Sequence, residues 1–122
     1  MSQLILIVDD NEDNRKLARD VLEYAGFNTI EATGGVEGVA MAMEHDPALV
    51  LMDIRMPDLN GTEALKLLRE DSRTAEIPIV ALTSSTMRGD EQRFLAEGFD
   101  GYLAKPISVR EFPDQVRGFL RE

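Results

Sequence analysis

Cysteine is absent, which removes a disulfide framework, a thiol nucleophile and any cysteine-ligated zinc or iron–sulfur centre. A single histidine, His45, cannot build a multi-histidine cluster. Basic residues are scarce: 13 Lys and Arg stand against 23 Asp and Glu, for a net charge of −10. That balance disfavours nucleic acid and anionic membrane and suits cations and basic protein patches. No apolar run reaches membrane-spanning length, and the stretch from Met1 to Asp10 lacks a basic n-region and a cleavage site. The expected compartment is therefore the cytoplasm, with no membrane and no nucleic acid among the expected partners. Repeats, linkers and low-complexity tracts are missing too. What remains is 122 residues, 43% hydrophobic and 30% charged, which predicts one folded domain over residues 1–122.

Short apolar runs alternate with helical patterns along the whole chain. Leu4 to Val8 is a continuous apolar run, as in a strand buried on both faces. Leu17, Ala18, Val21, Leu22 and Ala25 then form one helical stripe, stopped by Gly26. Asn28 to Ala32 reads as a more polar strand, suited to a sheet edge. Val36, Val39, Ala40 and Met43 make a second stripe, and Leu49 to Met52 another buried strand. Thr62 to Arg69, Ile79 to Leu82, Asp90 to Glu97 and Tyr102 to Ala104 continue the alternation. Phe112, Val116, Phe119 and Leu120 mark the last helix. Five strands alternating with five helices predict a doubly wound parallel α/β sheet. The usual order for five such strands is 2-1-3-4-5, the flavodoxin-like arrangement. Ser108 to Glu111 resembles a capping box, yet Pro113 then falls within the helix. Either the helix starts near Phe112 or its first turn is kinked.

Asp9, Asp10, Asp53, Thr83 and Lys105 share one property: each lies at or just past the end of an apolar strand. In an open α/β sheet these ends form one edge, and ligands bind where strand order reverses. Neighbouring first and third strands would bring Asp9, Asp10 and Asp53 together, with Thr83 and Lys105 on one side. Carboxylates ~4 Å apart repel by about 4 kcal/mol at an effective dielectric near 20. A raised pKa on one acid, or a bound cation, relieves that repulsion. All-oxygen ligands suit a hard ion such as Mg²⁺. Plainer readings exist for each residue alone. Asp10 to Asp13 precede a helix, where acids cap and favour the dipole, and Asp13 fits that role. Asp9 and Asp10 admit both capping and chemistry. Asp53 is harder to explain plainly, because a carboxylate straight after Leu49 to Met52 enters an apolar environment. His45 reads as a charge at a helix C-terminus, the methionines as core filler, and Tyr102 as a core aromatic with its hydroxyl at the surface.

The same residues carry a family pattern. Asp9-Asp10, the stretch from Met52 to Gly61, Leu82-Thr83-Ser84 and Tyr102 to Pro106 together resemble the receiver (CheY-like) domain of bacterial two-component response regulators. Thr86 to Glu91 and Lys105 to Val109 are similar to the single-domain cell-cycle regulators of alphaproteobacteria. The resemblance implies that Asp53 accepts a phosphoryl group from a histidine kinase or histidine phosphotransfer protein. It implies Mg²⁺ held by Asp10, Asp53 and the Arg55 carbonyl, with Asp9 acting through water. Lys105 would pair first with Asp53 and then with a phosphoryl oxygen, Thr83 would donate its hydroxyl, and Tyr102 would turn inward as a switch. The Lys105–Pro106 peptide would be cis. Arg55 and Ser85 would flank the path of an attacking water and set the lifetime of the phosphoryl group, with Arg55 long enough to shield the site or reach Glu12. Output would pass to a downstream protein through the fourth helix, fifth strand and fifth helix, around Arg88, Phe99, Tyr102 and Phe112. Such a protein is a phosphorelay switch rather than an enzyme, and Met1 with a completed fifth helix leads to the expectation of a whole one.

Three rival readings compete. Haloacid-dehalogenase-type phosphatases want a second acid two residues after the nucleophile, where this chain has Arg55. A flavodoxin-like cofactor carrier must cradle phosphate in its first loop, where Asp9, Asp10, Glu12 and Asp13 would repel it. A binding module independent of phosphorylation is disfavoured by the intact acids.

Overall fold

Every apolar run becomes a strand. A computed structural model describes residues 3–83 and 90–120. The elements run β1 (Leu4–Val8), α1 (Glu12–Tyr24), β2 (Asn28–Ala32), α2 (Gly35–His45) and β3 (Leu49–Asp53). They continue with α3 (Gly61–Glu70), β4 (Ile79–Thr83), α4 (Asp90–Glu97), β5 (Gly101–Ala104) and α5 (Phe112–Phe119). The strands form one five-stranded sheet in the order β2-β1-β3-β4-β5. All pairings are parallel: Leu4 lies opposite Asn28, Ile5 opposite Leu49, Val50 opposite Ile79 and Val80 opposite Gly101. The expected order is observed, and the polar strand β2 occupies an edge.

Alternation along each strand divides the core in two. Leu6, Val8, Val50, Met52, Ile79 and Ala81 face α2, α3 and α4, meeting Ala42, Leu65, Leu68 and Phe94. Ile5, Ile7, Leu49, Leu51, Val80 and Leu82 face α1 and α5, meeting Ala18, Leu22, Phe112 and Val116. The central strands are thus buried on both sides, which is why they read as unbroken apolar runs.

Helix α5 settles the conflict over Pro113. Glu111 is its N-cap, so Pro113 sits in the first turn, where a missing N–H costs nothing. Ser108 does not cap this helix. It heads the preceding turn, accepting from Phe112 N–H at 2.8 Å through its carbonyl and from Glu111 N–H at 3.3 Å through its hydroxyl. At the other helix, Asn11 is the N-cap of α1 and accepts from Asn14 N–H at 2.9 Å. Asp13 therefore lies inside the first turn rather than at the cap, where it still favours the dipole. Gly26 and Gly98 follow α1 and α4 with φ of 102° and 116°, a conformation that favours glycine.

Arg69, near the end of α3, ties three segments together. Its guanidinium donates to the carbonyls of Ala75 (3.1 Å), Ile77 (2.6 Å) and Gly98 (3.1 Å) and to the Asp100 carboxylate (2.7 Å). Asp100 in turn accepts from Ile79 N–H at 2.8 Å, the first amide of β4. Arg69→Ala strips partners from three carbonyls at once and is expected to cost about 2 kcal/mol, since an unpaired buried acceptor costs that order of free energy. Urea denaturation checks it; an unchanged midpoint would show that the tie contributes nothing.

Candidate functional site

The C-terminal strand ends meet where β1 and β3 lie side by side. Asp53 is the last residue of β3, opposite Leu82, and Thr83 the last of β4, opposite Ala104. Asp9 and Asp10 follow β1, and Lys105 follows β5. All five expected residues therefore converge on one edge. Asp9 and Asp53 are buried at 1% and 7% exposure, Thr83 is buried at 7%, and Asp10 is exposed at the mouth.

Asp9 is held on every polar atom. Its amide donates to the Ala32 carbonyl at 3.1 Å, and its carbonyl accepts from Arg15 Nη1 at 2.8 Å. Its Oδ1 accepts from Asn11 N–H at 2.9 Å, and its Oδ2 takes the Lys105 ammonium at 2.8 Å. Asp53 Oδ1 accepts from Arg55 N–H at 3.2 Å, while Oδ2 lies 3.3 Å from Lys105 Nζ. Lys105 thus pairs with Asp53 as expected, but its shorter contact is to Asp9, the more deeply buried acid.

The Lys105–Pro106 peptide is cis, as the resemblance implied. Tyr102 is half-buried, its ring 6.1 Å from that of Phe94. The Arg55 side chain is exposed, and no ion pair joins it to Glu12 among the described residues. Ser84, Ser85 and Arg88 lie outside the described residues.

Carboxylate oxygens of Asp9, Asp10 and Asp53 come within 4.8 Å of one another. Burial, then the nearby charge of Asp9, raises the Asp53 carboxyl from 3.8 to about 6, against the opposing pull of Lys105 and the Arg55 amide. One ammonium does not neutralise three acids, so the cluster keeps an excess of negative charge. Its all-oxygen donor set fits a hard divalent ion.

Two participants escaped the sequence reading. Arg15 braces the Asp9 backbone from α1 and is itself held by Glu31 of β2 at 3.3 Å. Asn11 is masked in the sequence by its acidic neighbours, and only its place directly ahead of a helix signals a cap.

Residues 5–117 match the response regulator receiver domain. The polar-differentiation response regulator DivK of Brucella ovis is 42% identical over 120 residues, covering 98% of each chain. Among solved structures, the chemotaxis protein CheY4 of Vibrio cholerae superposes with a TM-score of 0.91 at 28% identity, over 98% of this chain and 100% of that one. The receiver domain of a sensor histidine kinase from Pseudomonas aeruginosa superposes with a TM-score of 0.88 at 30% identity, over 98% of each chain. That structure has a magnesium ion coordinated in its active-site cleft.

Proposed function

Because the chain belongs to the response regulator receiver family of two-component signalling, we propose that Asp53 is the residue phosphorylated in it. The observation that carries this reading is a buried carboxylate at the end of β3, flanked by two further acids and facing Lys105. An Asp53 oxygen attacks phosphorus, the bond from phosphorus to the histidine nitrogen of the donor breaks, and an acyl phosphate forms. Phosphoryl transfer depends on positioning and charge neutralisation more than on covalent chemistry by the protein.

Asp10, Asp53 and the Arg55 carbonyl would hold Mg²⁺, with Asp9 acting through water. When bound, the ion supplies positive charge for the phosphoryl oxygens and permits Asp53 to stay ionised beside Asp9. Lys105, already shared between Asp9 and Asp53, contributes the second positive charge. Thr83 stands at the end of the neighbouring strand to donate its hydroxyl. Tyr102 lies opposite Ala81 of β4 and packs on Phe94 of α4, and in this reading a shift of Thr83 is passed through it to the surface of α4, β5 and α5. A histidine kinase or phosphotransfer protein supplies the phosphoryl group, and a downstream protein reads that surface.

Incubation with acetyl phosphate and Mg²⁺ is expected to add ~80 Da, the mass of one phosphoryl group, to the intact chain. A chelator is expected to suppress the shift. Absence of any mass increase with Mg²⁺ present would overturn the assignment and favour a binding module that works without phosphorylation.

A further inference from the structure

The N-terminus of α2 is capped from another part of the chain. Gly34, its N-cap residue, has no side chain with which to accept a hydrogen bond. The free amides of the first turn find Asp58 instead, which comes from the loop between β3 and α3. Asp58 Oδ1 accepts from Gly35 N–H at 3.1 Å, and Oδ2 from Val36 N–H at 3.2 Å. Oδ1 also accepts from Leu59 N–H at 2.8 Å, so one carboxylate fixes both its own loop and the helix. Those amides, Val36 and Gly35 foremost, hold the Asp58 carboxyl below the usual carboxylate range.

Glycine makes the approach possible. A Cβ on Gly34 would lie 2.8 Å from both Asp58 oxygens, and one on Gly35 would collide with the Leu59 carbonyl oxygen. The loop held this way leaves the end of β3. Ile54 N–H donates to Leu82 O at 3.2 Å, and Gly61 N–H donates back to Ile54 O at 2.9 Å. Those bonds pin its two ends, the buried Met56 anchors it to the core, and Asp58 fixes its far side to α2.

The geometry points to Asp58 as a positioning residue for the acidic site: by locking the loop onto α2 it holds the Arg55 backbone in place beside Asp53. This rests on the proposed reading, in which the Arg55 carbonyl is a Mg²⁺ ligand. The Arg55 amide bonded to Asp53 Oδ1 is the visible part of that arrangement. Residues that orient ligands from behind commonly alter metal affinity by about tenfold or more when removed.

Two substitutions disrupt the clamp from opposite sides. Asp58→Ala removes the carboxylate. Gly34→Ala keeps the carboxylate but pushes it aside, and Gly34 has φ of −168°, extended backbone that alanine adopts freely. Only the end of a side chain has to move, so this variant is expected to fold even where Asp58→Ala does not. Calorimetric titration of the metal-free chain with Mg²⁺ alone is expected to show affinity about tenfold weaker for each variant. The double variant is expected to be no worse than either single one, since both remove the same interaction. Phosphorylation by acetyl phosphate slows to the same extent at low Mg²⁺ and returns to the wild-type rate when Mg²⁺ saturates. A cap that merely stabilises α2 would lower the urea midpoint and leave Mg²⁺ affinity unchanged; that result, or additive losses in the double variant, overturns the inference. Failure of the wild-type chain to bind Mg²⁺ is a different outcome, and it overturns the reading of the site on which the inference rests.

Discussion

Asp53→Asn is expected to abolish phosphoryl labelling completely while leaving the fold intact. The amide has nearly the shape of the carboxylate and keeps an oxygen to accept from Arg55 N–H, but it has no anionic oxygen with which to attack phosphorus. Intact-mass measurement after incubation with acetyl phosphate and Mg²⁺ checks this, and persistent stoichiometric labelling of the variant would refute it. A stability effect of definite sign accompanies the loss. Burial and the Asp9 charge raise the folded Asp53 carboxyl to about 6, above its ordinary value of 3.8. The folded chain therefore holds this proton more tightly than the unfolded chain between those values. Through this group the metal-free fold gains stability as pH falls from 7 towards 4, and loses it as pH rises through about 6. Asparagine removes that component, so the metal-free variant is expected to be more stable than wild type at pH 7, with a flatter pH profile. Urea midpoints at a series of pH values supply the test.

The second large effect falls on Gly61, the first residue of α3. An added Cβ there would lie 2.6 Å from the Asp53 carbonyl oxygen and 2.9 Å from the Ile54 Cα. Both are backbone atoms, so neither can swing aside as a side chain would. Gly61→Ala is expected to cost about 3 kcal/mol, the upper range for overpacking, and to slow phosphorylation by shifting the end of β3. Gly118→Ala is the matched control: it lies in α5, is exposed, and would meet nothing within 4 Å. There alanine is expected to stabilise by about 0.5 to 1 kcal/mol through helix propensity alone. Equal midpoints for the two variants would contradict the packing argument.

The legible parts of this protein are those set by local pattern. Strands buried on both faces leave unbroken apolar runs, and a polar residue that ends such a run stands out, as Asp53 and Thr83 do; Lys105 follows the half-buried edge strand β5, a weaker signal. The polarity of Asn28 to Ala32 marked the edge strand for the same reason. What stayed hidden depends on residues distant in sequence. Nothing around Asp58 announces that it caps a helix starting at Gly35. Nothing around Arg69 announces a bond to Gly98. The division of Lys105 between two acids depends on how deeply each is buried, which a motif does not encode. Pro113 was the instructive conflict: a capping signal at Ser108 competed with a proline rule, and the stronger steric constraint prevailed.

The place of β1 in the sheet governs how the chain acquires its structure. It is made before the other strands of the sheet, yet one of its neighbours is β3, and α1, β2 and α2 must be gathered before Ile5 meets Leu49. No pairing in the sheet is a hairpin, so no tight turn can nucleate it, and ordering depends on contacts distant along the chain. During synthesis the apolar stretch from Leu4 to Val8 therefore emerges well before its second partner exists. It has to be sheltered meanwhile by α1 and β2, or by a chaperone, if it is not to pair with another nascent chain.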